Sequence, residues 1–324
     1  MSGAEAGPGK VRPTAHAADD PRLWSLVDDA AAFEPVAHQA DFRFIEGPLW
    51  DAAAGELLFS DIPASVIRRW RAADGSVREW RRPTNLSNAL TYDAQGRLLV
   101  CEHVPPGVRR LPADGAGEGE LLASHWQGKE LNSPNDLVVR ERCGSVYFSD
   151  PPSGRTKEWG VERPQELDFQ GLFRIDPSGA LHLLADEYVI PNGVCLSPDE
   201  RTLYCVDSHE GEIKAYDLAD DGSVTGARLF AQGLVTDDLY DGCPDGVKCD
   251  EHGNVWVSAP WGVWVYAPDG TRLGRLASPE FITNFTWGGP DGRDLFLCGF
   301  TTLFRLRTHV RGSGIPARRG RASL

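Results

Sequence analysis

One pattern recurs six times along the chain and constrains its fold more than any other feature: a turn rich in Asp and Gly, then a short strand of alternating apolar residues. The strands read ELLFSD (56–61), RLLVCE (97–102), SVYFSD (145–150), TLYCVD (202–207), NVWVSA (254–259) and DLFLCG (294–299). A second strand follows each: VIRRW (66–70), VRRL (108–111), LFRI (172–175), IKAY (213–216), VWVY (263–266) and LFRL (303–306). Successive repeats lie between 40 residues (Val255 to Leu295) and 57 residues (Val146 to Leu203) apart. Multi-strand units at that period are the mark of propeller blades. The expected fold is all-β, a six-bladed β-propeller over residues 21–308, between a disordered N-terminal tail (1–20) and a basic, flexible C-terminal tail (309–324). Helical periodicity is confined to a short candidate near 21–32, with Asp20 as N-cap and Pro21 at the first position. The segment 33–36 is placed as the outer strand of the last blade, because a closed all-β ring must join its two ends.

Each repeat also carries a strand before its Asp/Gly turn, and these strands share a polar position. They begin FIEGPLW, LSNALTY, SPNDLVV, IPNGVCL, CPDGVKC and ITNFTWG. Glu46, Asn88, Asn135, Asn192, Asp245 and Asn284 occupy the corresponding place, each ten or eleven residues ahead of the first apolar residue of the next strand. The first strand of a blade lines the central channel, so these side chains are expected to converge on one axis. A plainer account is that Asn and Asp make turns at strand starts. It suits Asn88 and Asn284, which lack a preceding Pro and a following Gly or Asp. It does not suit Glu46, nor the placing of both carboxylates in the same ring as the amides.

Carboxylates and carboxamides aimed at one point repel or stay unsatisfied unless a cation joins them. Hard divalent cations accept such all-oxygen shells, and the ring has no His or Cys of the kind a structural zinc site uses. Calcium is the leading candidate, with Mg2+, Mn2+ and Zn2+ as alternatives. A cation held by four protein ligands keeps positions open for water and substrate, where it polarises a carbonyl and acidifies bound water. The matching reaction class is hydrolysis of an ester, lactone or phosphoester. Competing motifs are absent from the sequence: it has no GxSxG elbow, no HExxH and no Walker loop.

Composition narrows the remaining classes. The chain has 324 residues, 33 basic against 47 acidic, for a net charge of -14. That balance opposes nucleic-acid binding, which relies on Lys and Arg at phosphates. No apolar run approaches the ~20 residues of a membrane helix, and residues 1–20 lack a signal-peptide core. Seven cysteines, an odd number without a CxxC pair, fit reduced thiols and a cytoplasmic location, with a Cys195–Cys205 or Cys243–Cys249 bridge left open.

The segments EGPLW, SNALTYDAQGRLLVCEH, LNSPNDLVV, VYFSDPP, PNGVCLSPDERTLY and PDGVKCDEHGNVWV resemble the gluconolactonase/regucalcin (SMP-30-like) family of six-bladed propellers, in order from about Phe42 to Leu306. The resemblance implies a metal-dependent lactonase acting on a small-molecule lactone; a closed propeller presents no free sheet edge, so a monomer or weak homo-oligomer is expected. The family's metal site falls on Glu46, Asn192 and Asp245, with Asn135 as a fourth ligand or a substrate contact. Asp245 is also the implied general base or nucleophile-positioning group, so Asp245 and Asn135 are the catalytic candidates. Asn88 matches a position near the channel, and Ala89 and Cys243 depart from the family pattern. His103, ending CEH where a strand gives way to a loop, is a candidate substrate contact; His209 in DSHEG ranks below it. The stretch 151–171, with Arg155, Lys157, Trp159 and Arg163, reads equally as a lid or as a solvated insertion anchored by its Trp. Rival functions keep the site but act on aryl esters or organophosphates, isomerise or cyclise a substrate, or use the metal only to tie blades together.

Overall fold

A computed structural model describes residues 12–112, 114–238 and 241–314. Apolar residues on both faces let the second strand of each blade bury almost entirely, and the described residues form six antiparallel blades arranged around an axis, with a separate two-stranded hairpin, His125–Trp126 with Lys129–Glu130. The first blade shows the plan. Strands Ile45–Asp51, Glu56–Asp61, Val66–Arg71 and Val77–Arg81 run outward in chain order. The innermost strands of the six blades are Ile45–Asp51, Ser87–Tyr92, Leu137–Arg140, Pro191–Leu196, Val247–Cys249 and Asn284–Gly288. Each touches the inner strand of the next blade, and the sixth touches the first, so the ring is closed.

The core is distributed as six apolar clusters, one in each seam between neighbouring blades. Strand period two explains this division. Along TLYCVD, Leu203 and Cys205 enter the seam with the third blade, whereas Tyr204 and Val206 enter the seam with the fifth.

Closure occurs in the sixth blade, where Glu34–His38 pairs antiparallel with Thr302–Arg307 in the register Glu34↔Arg305 and His38↔Thr302. The strand expected from 33–36 is therefore present. Two expectations at the ends are corrected. Ala17–Ala18 adds a fifth strand to the fifth blade beside Gly274 and Arg275, so the part of the expected tail within 12–20 is docked. At the other end Val310 is buried and the Ser313 N–H donates to the Cys249 carbonyl at 2.9 Å, so the packed body continues past 308. Residues 1–11 and 315–324, the rest of both expected tails, lie outside the described residues. The helix expected near 21–32 is only a 3-10 turn, Pro21–Ser25, capped by Asp20. Leu23 and Val27 bury into the seam between the fifth and sixth blades, which a single turn achieves without a longer helix. All seven thiols are free; the Sγ atoms of Cys195 and Cys249 lie 3.8 Å apart, a pairing neither of the expected bridges includes. No described helix is long and apolar enough to cross a membrane.

Candidate functional site

The chain is steered into the channel by carboxylates at the ends of the second strands. Buried Asp61 accepts the N–H groups of Arg43 (3.2 Å) and Phe44 (3.3 Å). Asp150 does the same for Asn132 and Ser133, both at 2.8 Å, and Asp207 for Val189 (2.8 Å) and Ile190 (3.2 Å). Each tether ends two residues before a ring residue, Glu46, Asn135 or Asn192, and so fixes where that side chain enters. The inner strands then meet closely, with the Gly193 N–H donating to the Asp245 carbonyl at 3.1 Å and Ala89 to that of Asn135 at 3.1 Å. A Cβ on Gly193 would stand 2.2 Å from the Asp245 oxygen, so only glycine allows this approach.

All six ring residues are buried. Glu46 Oε2 accepts from Asn284 Nδ2 at 3.1 Å, and the Asn284 Oδ1 accepts from Lys248 Nζ at 3.2 Å. Lys248 Nζ also reaches Asp136 Oδ2 at 3.4 Å and the Val247 carbonyl at 3.0 Å. Asp136 is held further by the N–H of Val194, 3.1 Å from Oδ2. Across the ring, Asn192 hydrogen-bonds the Asp245 carboxylate and donates to Ser208 Oγ at 3.0 Å. No described residue hydrogen-bonds the Asn135 carboxamide.

Burial pushes the Asp245 carboxyl well above the usual carboxylate range, and the charges of Glu46 and Asp136 push it further. Glu46 moves the same way, through burial first and then the charge of Asp136. Lys248 is the cation that opposes both shifts. The centre is thus a buried cluster of carboxyl groups whose ionised forms are disfavoured unless a cation compensates them.

Asp136 and Lys248 are the residues the sequence reading missed. A signal existed for both. Asp136 stands one place after its ring residue, where four of the six blades have Gly or Ala, and Lys248 is a charge inside the short strand Val247–Cys249.

His103 is buried, with Nδ1 3.0 Å from the Trp159 carbonyl. A carbonyl only accepts, so Nδ1 carries the proton and Nε2 presents a lone pair, which no described group satisfies. Burial pushes its pKa down to about 4. Asn88 Oδ1 is likewise buried without a partner. Cys243 lies beside Asp245, and burial together with that charge pushes its thiol up to about 12, so it remains protonated and is a poor nucleophile at neutral pH. The His209 side chain is 62% exposed, lies 4.0 Å from the Glu210 carboxylate, and makes no hydrogen bond to a ring residue among the described residues.

The stretch 151–171 is pinned across blades. Trp159 packs on Phe44 of the first blade with ring centroids 4.2 Å apart, and Phe44 packs on Phe300 at 5.2 Å. Arg163 donates to the carbonyls of His103 (2.8 Å) and Asn132 (2.9 Å). Phe44 is two residues from Glu46, so this loop lies at the end of the channel that holds the ring.

Among the described residues, no three His, Cys, Asp or Glu side chains gather at metal-holding distance. A cation here would rest on a mixed oxygen set, and the donors fit one. Glu46, Asn135, Asn192 and Asp245 come from four blades, two as carboxylates underneutralised by protein groups and one as an unpartnered carboxamide. A surface groove of about 410 Å³ beside the first blade, lined by Asp41, Arg43, Arg68 and Arg82, includes no ring residue and lacks this chemistry.

Residues 44–301 match the model of the SMP-30/Gluconolactonase/LRE-like region. The chain belongs to the SMP-30/gluconolactonase family. Among relatives of this family, a gluconolactonase of Zymomonas mobilis is 31% identical over 316 residues, covering 90% of this chain and 85% of that protein. The solved structure of a gluconolactonase from Xanthomonas campestris has a TM-score of 0.79 at 35% identity, covering 91% of this chain and 94% of that one. A calcium-binding regucalcin from Agrobacterium tumefaciens shares the fold at a TM-score of 0.70 and 22% identity, covering 87% of this chain and 95% of its own. The six-bladed propeller is therefore the family's architecture in this chain as well.

Proposed function

We propose that this family member is a lactone hydrolase whose preferred substrate class is a sugar lactone, with one divalent cation, Ca2+ foremost, at the ring. The observation that carries the reading is the buried meeting of Glu46 and Asp245 with carboxamides from two other blades, on a chain related to gluconolactonases along most of its length.

Glu46, Asn135, Asn192 and Asp245 would hold the cation. When bound, it supplies Lewis acidity to a carbonyl oxygen and lowers the pKa of water. The chain's own groups provide the rest. Asp245, in a dry site, accepts the proton of the attacking water and returns it to the ring oxygen as the C–O bond of the tetrahedral intermediate breaks, giving a hydroxy acid. Asn135 orients the lactone through its free carboxamide. The unpartnered acceptors Asn88 Oδ1 and His103 Nε2 suit a substrate rich in hydroxyl donors, which favours a sugar lactone over an aryl ester or fluorophosphate. The stretch 151–171 serves as the wall and lid of this substrate space.

Purified protein assayed with a pH indicator on sugar lactones, aliphatic lactones, aryl esters and fluorophosphates, before and after EDTA, tests the reading. Sugar-lactone turnover that EDTA removes and Ca2+ restores is the expected result. Full turnover in EDTA would reject the cation, and turnover confined to another ester class would reject the substrate. A melting temperature that falls in EDTA with no activity on any substrate would instead favour a structural ion.

A further inference from the structure

Lys248 lies at a junction that the proposed chemistry does not use. Its ammonium donates to Asn284 Oδ1 (3.2 Å), Asp136 Oδ2 (3.4 Å) and the Val247 carbonyl (3.0 Å), linking side chains of the third, fifth and sixth blades. An ammonium can only donate, so Asn284 must turn its carbonyl toward Lys248. Its NH2 is thereby committed to Glu46 Oε2, 3.1 Å away. The Phe285 N–H donates to the same oxygen at 2.9 Å, so Lys248 shares with the backbone the task of keeping that carbonyl away from the carboxylate.

The second role is charge. Glu46, Asp136 and Asp245 act on one another within the channel, and Lys248 is the cation opposing them. With all three carboxyls ionised, as a bound cation would require, they and the ammonium sum to two negative charges, the complement of a single divalent ion. Buried charge left uncompensated is strongly unfavourable, so this balance has consequences for what binds.

We propose that Lys248 is the fixed counter-ion of the centre: it neutralises Asp136, joins the Phe285 N–H in holding Asn284 toward Glu46, and so tunes the ring to one divalent cation. This rests on the reading that Glu46, Asn135, Asn192 and Asp245 hold such a cation. Lys248 itself is not a ligand in this scheme and touches no substrate.

The test is cation preference, read separately from activity. EDTA-stripped full-length protein is titrated with Ca2+ and with Tb3+, and the ratio of the two Kd values is compared between variants. Lys248→Gln leaves a third negative charge and is expected to shift the ratio toward Tb3+ by on the order of tenfold or more. Lys248→Arg should stay within about threefold of wild type, and the double variant Asp136→Asn/Lys248→Gln, again with two negative charges, should return to about that range. An unchanged ratio in Lys248→Gln, or a double variant that keeps the trivalent preference, overturns the proposal. If Lys248→Gln fails to fold while the double variant folds with the wild-type ratio, the unbalanced Asp136 is the cause and the proposal stands. If both fail to fold, Lys248 is a packing residue and the proposal falls. Wild type that binds neither ion at one per chain rejects the cation centre itself, a result distinct from failure of the Lys248 role alone.

Discussion

Asp245 shows how a side chain costly to the fold can be the one proposed to carry the chemistry. Its carboxyl is raised by burial and by two neighbouring carboxylates, so ionisation of this group is disfavoured in the cation-free folded protein relative to the unfolded chain and costs stability at pH 7. Asp245→Asn should lower lactone turnover by at least ~100-fold, since general-base catalysis contributes about that much or more. The same variant should melt at a higher temperature than wild type when both are in EDTA, and its Tm should respond little to added Ca2+; paired thermal scans check this. His103 runs in the opposite pH direction. Its folded pKa of about 4 lies below the ordinary 6.5, so the stability tied to its neutral form is complete above pH 6.5 and is lost as pH falls toward 4. That loss amounts to about 3 kcal/mol, from roughly 2.5 pH units at 1.36 kcal/mol each. Urea unfolding of wild type and His103→Gln at pH 7 and pH 4 should show the wild type losing about that much more.

At the scale of the strand, the site depends on how closely the inner strands approach. Gly47 has φ +57°, and a Cβ there would stand 2.3 Å from the Asn88 carbonyl oxygen. Gly55, in the turn after the same strand, has φ +63° with nothing near its Cβ position. Both Gly→Ala changes incur the left-handed backbone penalty of about 1–2 kcal/mol, but only Gly47→Ala adds a collision with rigid backbone. Gly47→Ala should therefore be less stable than Gly55→Ala by at least ~1 kcal/mol in urea titrations, because overpacking of that kind costs about 1–3 kcal/mol. The tethers from Asp61, Asp150 and Asp207 belong to this scale too. They were visible as the recurring acidic ends of FSD and VD, yet the sequence alone does not say that these carboxylates fold back on the loop preceding the inner strand.

For the whole molecule, closure is the controlling feature. Glu34–His38 supplies the outer strand of the sixth blade, and Leu23 and Val27 fill the seam beneath it. Removing residues through His38 would expose the edge of Thr302–Arg307 and open that seam. The truncated chain should lose its single cooperative thermal transition and aggregate, as calorimetry with light scattering would record.

The six-fold pattern was legible in the sequence, as was the recurrence of Glu46, Asn88, Asn135, Asn192, Asp245 and Asn284 at buried places on or beside the inner strands, because both are repeated at nearly constant spacing and strand periodicity turns spacing into direction. The clasp of Lys248 on Asp136 and Asn284, the reach of Trp159 to Phe44, and the docking of Ala17–Ala18 on the fifth blade were not. Those contacts join residues from different blades or distant parts of the chain, where no local rule relates one position to the other. Only closing the ring brings them together. Charge balance at the axis is thus a property of the assembled propeller, whereas the position of each donor within its blade follows from the chain.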